Sequence, residues 1–222
     1  LPKNKILADA RRVIRLETKA IADLARRLDG NFSDAVELIY KCKGRVIVTG
    51  IGKSGIIARK IVATLNSTGT PAVWLHSADS IHGDLGIIKH GDVIVCISKS
   101  GDTVEVINLL KLIKNFDVKV ISIVGDPDSG IKEYSDVVID ASVKSEACPH
   151  NLAPTSSTTA ALVLGDALAV SLLKKKEFSK EKFALLHPGG ILGKRLNLKV
   201  SDLMVKGSDI PIVSRDTPFT EV

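Results

Sequence analysis

The sequence predicts a doubly wound α/β fold, a mostly parallel sheet flanked by helices and preceded by an N-terminal helical extension. Three observations predict it. From Arg45 onward short β-rich runs alternate with helical stretches, the rhythm of βαβ units. Several of those runs, Val93-Ile94-Val95-Cys96-Ile97 among them, are continuously apolar, as strands covered by helices on both faces must be. A glycine-rich turn, Gly50-Ile51-Gly52-Lys53-Ser54-Gly55, joins the first run to a helical stretch.

The elements follow in order. Ile6, Ala10, Val13, Ile14, Ala20, Ile21, Leu24 and Leu28 recur at intervals of three and four, one apolar stripe on a helix over residues 6–28. Strands are expected at 45–49, 72–75, 92–97, 119–124 and 137–139, with helices at 54–67, 103–115 and 156–174. The last helix is apolar over much of its circumference, and Asp166 inside it is expected to pair with a buried partner or to lie at a subunit contact. The chain is divided into a helical extension (1–43), the α/β domain (44–178), a segment around His187-Pro188-Gly189-Gly190 (179–199) and a polar tail (200–222). No internal repeat is found.

Composition narrows the function. At 222 residues, 45% hydrophobic and 25% charged, the chain matches ordinary globular proteins, which excludes disorder as its dominant state. The net charge of +6 comes from Lys and Arg scattered over helical faces, and aromatic residues are only 4%, too few for base-stacking platforms. An anionic small molecule is therefore expected rather than a nucleic acid. The most apolar stretch, 160–173, is short and carries Asp166, so no membrane span is expected, and the first residues lack an apolar export segment. Cys42, Cys96 and Cys148 are odd in number and lack metal-binding spacing, which points to a reducing, cytoplasmic compartment.

Three constellations carry chemistry. The first glycine turn matches the dinucleotide fingerprint, but the end of the second strand offers Leu75, His76 and Ser77 where a ribose-binding carboxylate is required. Lys53 lies at the carboxyl end of a strand, where it either meets an anionic or carbonyl ligand or is simply a solvated lysine at a helix start. The second loop, Ser98-Lys99-Ser100-Gly101-Asp102-Thr103, places hydroxyls of Ser98, Ser100 and Thr103 beside helix-start N–H groups, a phosphate cradle, with Glu105 in the following turn. The third runs from Glu146 through a Pro-punctuated loop to Thr155-Ser156-Ser157-Thr158-Thr159, a second polar wall.

Together, Gly50 to Gly55, Ser98 to Glu105, Glu146 to Thr159 and His187 to Leu192 resemble the sugar isomerase (SIS) domain of arabinose-5-phosphate isomerases over nearly the whole chain. The resemblance implies catalytic roles for Lys53, Glu105, Glu146 and His187, and substrate contacts at Gly52, Ser54, His82, Ser98, Ser100, Thr103, Ser156 and Thr158. His76 matches a position where family members can bind a metal, although no cofactor is required for enediol chemistry. The implied reaction interconverts D-ribulose 5-phosphate and D-arabinose 5-phosphate for Kdo synthesis; a noncatalytic sugar-phosphate sensor, or an isomerase of another phosphosugar, is the alternative. Either glutamate could be the base, on the expectation that desolvation raises its pKa. The N-terminal helix and the His187 loop have no place in one doubly wound sheet. Both are expected to pack on a neighbouring subunit, and the resemblance implies a tetramer with shared sites. Residues 200–222 resemble the opening of the first of two regulatory CBS modules, neither of which is complete in this sequence.

Overall fold

Five strands, β1 (Val46–Gly50), β2 (Ala72–His76), β3 (Val93–Ser98), β4 (Lys119–Val124) and β5 (Val137–Asp140), form one sheet in the order β2-β1-β3-β4-β5. Every pairing is parallel, with Val46 opposite Ala72 on one side and Val93 on the other. The computed structural model describes residues 2–188 and 198–221. The chain divides into two units, Leu1–Phe178 and Ser179–Val222.

The helices of the first unit are α1 (Lys3–Arg27), α2 (Gly30–Lys41), α3 (Gly52–Ser67), α4 (Val104–Ile113) and α5 (Ser156–Lys175). Alternation within each strand sends side chains to two cores. Val46, Val48, Val93 and Val95 join Ile61, Leu65, Leu164, Leu168 and Leu172 on the face covered by α3 and α5. Ile47, Ile94 and Cys96 face Val106, Leu109, Leu110 and Ile113 of α4. β1 and β3 are wholly buried, as their unbroken apolar runs predicted. By length and composition α5 could cross a bilayer, yet it is the helix on which α1, α2 and α3 pack, with half of its most apolar window buried.

Two expectations need correcting. The N-terminal helix does find a surface within its own chain: Leu24 is buried in the first core, Arg27 Nε lies 3.0 Å from Asp140 Oδ2, and Arg12 Nη2 donates to the Ala147 carbonyl at 3.0 Å. Its first turns nonetheless keep Ile6, Leu7 and Ile14 exposed. Asp166 pairs with Lys60 of α3, and both side chains are more than a third exposed, so the pair is a surface tie between two helices rather than a buried one.

The strand order reverses direction between β1 and β3, so the loops leaving their carboxyl ends diverge to opposite faces and open a crevice between them. Both glycine- and serine-rich loops lie at that point. In the second unit α6 (Lys180–Leu186) is capped by Ser179, whose hydroxyl accepts from Lys182 N at 3.3 Å, and α7 (Val200–Leu203) is a single turn.

Candidate active site

A pocket of about 300 Å³ opens between the two loops, lined by Ile51 and Ser54 from the first and Ser98, Lys99, Ser100 and Thr103 from the second. The second loop is shaped by its own hydrogen bonds. Ser98 is buried and its Oγ accepts from Gly101 N at 3.0 Å, while Ser100 Oγ accepts from Asp102 N at 3.3 Å and lies 3.4 Å from Thr103 Oγ1. Ser98 therefore turns the loop, and Ser100 and Thr103 are the exposed and half-exposed hydroxyls it presents. Asp102 points away from the pocket to accept from Gly130 N at 2.7 Å, which pins the loop to the turn after β4.

A narrower crevice of about 20 Å³ shares Ser54, Ser98 and Lys99 with the pocket and reaches Pro154, Ser157 and Thr158. Glu146 sits behind it with its side chain only 2% exposed. Its Oε2 accepts from Thr155 N (2.8 Å), Thr155 Oγ1 (3.2 Å) and Ser157 N (3.2 Å); its Oε1 accepts from Ser157 Oγ (2.5 Å) and pairs with Lys99 Nζ at 2.7 Å. Burial alone would raise the carboxyl pKa, but the Lys99 ammonium and the Ser157 and Thr155 donors outweigh it and hold Glu146 at about 2. The expected upward shift is thus reversed at Glu146, because five donors outweigh desolvation.

The loop around Glu146 is itself braced. Glu146 N donates to Asn151 Oδ1 at 2.6 Å with Asn151 at φ 56°, Ala147 N donates to Thr155 Oγ1 at 2.8 Å, and Thr159 Oγ1 donates to Glu17 of α1 at 2.9 Å. Cys148 Sγ accepts from the N–H groups of Ala153 and Leu152, and these backbone donors, Ala153 first, hold its thiol below the usual range.

The remaining candidates are distributed unevenly. Ser54 and Thr158 line the pocket or the crevice, and Thr158 Oγ1 donates to Thr155 O at 2.8 Å. Lys53 and Gly52 begin α3 in exposed positions, and Glu105 is exposed in the first turn of α4; none of the three lines either cavity. His82 is exposed in a 3-10 turn (Asp79–His82), also off both cavities. Ser156 is fully buried, and its Oγ has no hydrogen-bond partner among the described residues. His76 Nδ1 lies 3.3 Å from Asp79 Oδ2 without hydrogen-bond geometry, and no cluster of three or more metal-ligating side chains forms among the described residues. His187 belongs to the second unit, where its ring stacks on Phe183 at 3.9 Å and its Nδ1 is 2.8 Å from Phe183 O; Gly189 to Leu192 lie outside the described residues.

Local sequence does not single out Lys99 or Ser157. Lys99 stands between Ser98 and Ser100 in the second loop, where a lysine is ordinarily solvated. Ser157 stands in a run of hydroxyls in which only the helical register decides which one faces Glu146.

The SIS domain matches residues 38–171. The arabinose 5-phosphate isomerase KdsD of Pseudomonas aeruginosa is 50% identical over 211 residues, which is 95% of this chain and 65% of that protein. The KdsD of Escherichia coli K12 is 47% identical over 203 residues, 91% of this chain and 62% of that protein, so the chain spans less than two thirds of the length of either relative. The structure of the c3406 protein of E. coli CFT073 in complex with arabinose 5-phosphate superposes with a TM-score of 0.82 at 36% identity, covering 85% of this chain and all of that one. With the parallel sheet, the paired loops at its switch point and a match running through both, the chain belongs to the SIS domain family.

Proposed function

We propose that this chain is the isomerase portion of an arabinose-5-phosphate isomerase, interconverting D-ribulose 5-phosphate and D-arabinose 5-phosphate in the supply of Kdo for lipopolysaccharide or capsule. The observation that carries the reading is a rigidly held carboxylate, Glu146, one lysine away from a pocket offering Ser100 and Thr103 hydroxyls. Aldose–ketose interconversion needs a base to carry a proton between C1 and C2 through an enediol while donors steady the oxygens. The hydroxyls hold the phosphate, Glu146 or Glu105 carries the proton, Lys53 stabilises the developing oxyanion, and His187 or His82 moves hydroxyl protons. No cofactor enters this scheme. The KdsD relatives and the neighbour in complex with arabinose 5-phosphate support the choice of sugar.

A coupled assay of the purified protein with ribulose 5-phosphate tests the reading: turnover is expected, and binding without turnover over hours would make the protein a sensor instead. Ser100→Ala is expected to raise KM with kcat little changed, because a phosphate donor serves ground and transition states alike. A collapsed kcat at unchanged KM would remove Ser100 from that role.

The exposed Ile6, Leu7 and Ile14 of α1 support assembly into a homo-oligomer, a tetramer in this reading, whose sites draw His187 from a neighbouring chain. Mixing inactive His187→Ala and Glu146→Gln proteins under subunit exchange should then restore some activity. No rescue despite demonstrated exchange would place His187 in its own subunit's site.

A further inference from the structure

The Lys99–Glu146 pair poses a chemical problem. A carboxylate held at about 2 is a poor proton acceptor at neutral pH, where a base works best with a pKa near the operating pH. The geometry contains a remedy. Among the described residues lining the 300 Å³ pocket, Lys99 alone carries a charge, and its side chain is 44% exposed while that of Glu146 is 2% exposed. Within the pair, the ammonium is therefore the partner that a ligand can reach.

The carboxylate does not depend on Lys99 for its position. Four of its five donors are neutral groups of Thr155 and Ser157, and they remain if the ammonium leaves. What departs with Lys99 is the positive charge on Oε1. The competing ligand is well matched to take it: a phosphoryl group carries close to two negative charges at neutral pH, so at equal distance it attracts an ammonium about twice as strongly as a carboxylate does. The Ser100 and Thr103 hydroxyls beside Lys99 supply neutral donors for the same oxygens.

We infer that Lys99 is a ligand-driven switch: a phosphoryl group entering the Ser100 pocket draws the ammonium away from Glu146 and opens on Oε1, which still accepts from Ser157 Oγ, a lone-pair position for a proton. The inference rests on the phosphosugar reading above and adds to it a coupling between phosphate binding and base activation. The exchange is an ion-pair rearrangement and breaks no covalent bond. It also explains how the site can keep its base unreactive until the phosphate end of a substrate is seated.

Two measurements with inorganic phosphate test it. A crystal structure of the unmodified protein with phosphate in the pocket should show Lys99 Nζ within hydrogen-bond reach of the anion and beyond ion-pair distance from Glu146 Oε1. By linkage, Glu146→Gln, which removes the competitor, should bind phosphate about 5- to 50-fold more tightly by calorimetry at fixed ionic strength. Phosphate seated in the pocket with Lys99 still on Glu146, or an unchanged affinity in Glu146→Gln, overturns the switch while leaving the phosphosugar reading intact. Phosphate absent from the pocket, with an affinity unmoved by Ser100→Ala, overturns both.

Discussion

Replacing Glu146 by glutamine is expected to lower kcat by about two to four orders of magnitude, the range for loss of a general base. The amide keeps the size of the side chain, and its one oxygen, placed where Oε2 stands, can still accept from Thr155 N and Ser157 N while its NH2 donates to Ser157 Oγ, so geometry survives while the proton acceptor is lost. The same substitution should be visible in stability. A carboxyl at about 2 in the folded protein against an ordinary value of 4.5 stabilises the fold above the unfolded value, by at most about 3 kcal/mol at neutral pH. That contribution fades as pH falls from 4.5 through 2, so the stability gap between wild type and variant should close in acid. Thermal unfolding across that window checks the sign. A kcat within tenfold of wild type would pass the proton transfer to Glu105, which is exposed at the start of α4.

Gly101→Ala is expected to destabilise the protein by about 3 to 5 kcal/mol and to abolish phosphate affinity together with activity. Two costs add. Gly101 has φ +77°, where a side chain is strained by about 1 to 2 kcal/mol, and an added Cβ would fall 1.7 Å from Ser129 Oγ and 2.9 Å from Val124 Cγ2. Ser129 cannot simply turn aside, because its hydroxyl donates to Asp126 O at 2.5 Å. Relief requires moving the Ser98–Thr103 loop itself. Gly52→Ala is the control: φ is +57° but nothing among the described residues lies within 4 Å of the new Cβ, so only the backbone cost, about 1 to 2 kcal/mol, should appear. Equal losses in chemical denaturation at both positions would refute the packing argument.

The sequence by itself determined the parallel sheet, because unbroken apolar runs such as residues 93–97 can be satisfied only by burial on both faces, and the observed β3 is buried throughout. It also marked the site loops, since Ser98 to Thr103 and Glu146 to Thr159 are clusters of hydroxyls and carboxylates at element ends, where side chains are free to meet ligands. Local pattern does not encode which groups meet across the sheet. That Lys99 reaches Glu146, that Ser157 rather than its neighbours does so, and that Arg12 and Glu17 of α1 brace the same loop all follow from strand order and helical register. The direction of the Glu146 pKa belongs to the same class. Desolvation can be anticipated from one residue's surroundings in the chain, whereas the donors that reverse it come from positions 99, 155 and 157, brought together only when the loops after β3 and β5 fold onto one crevice.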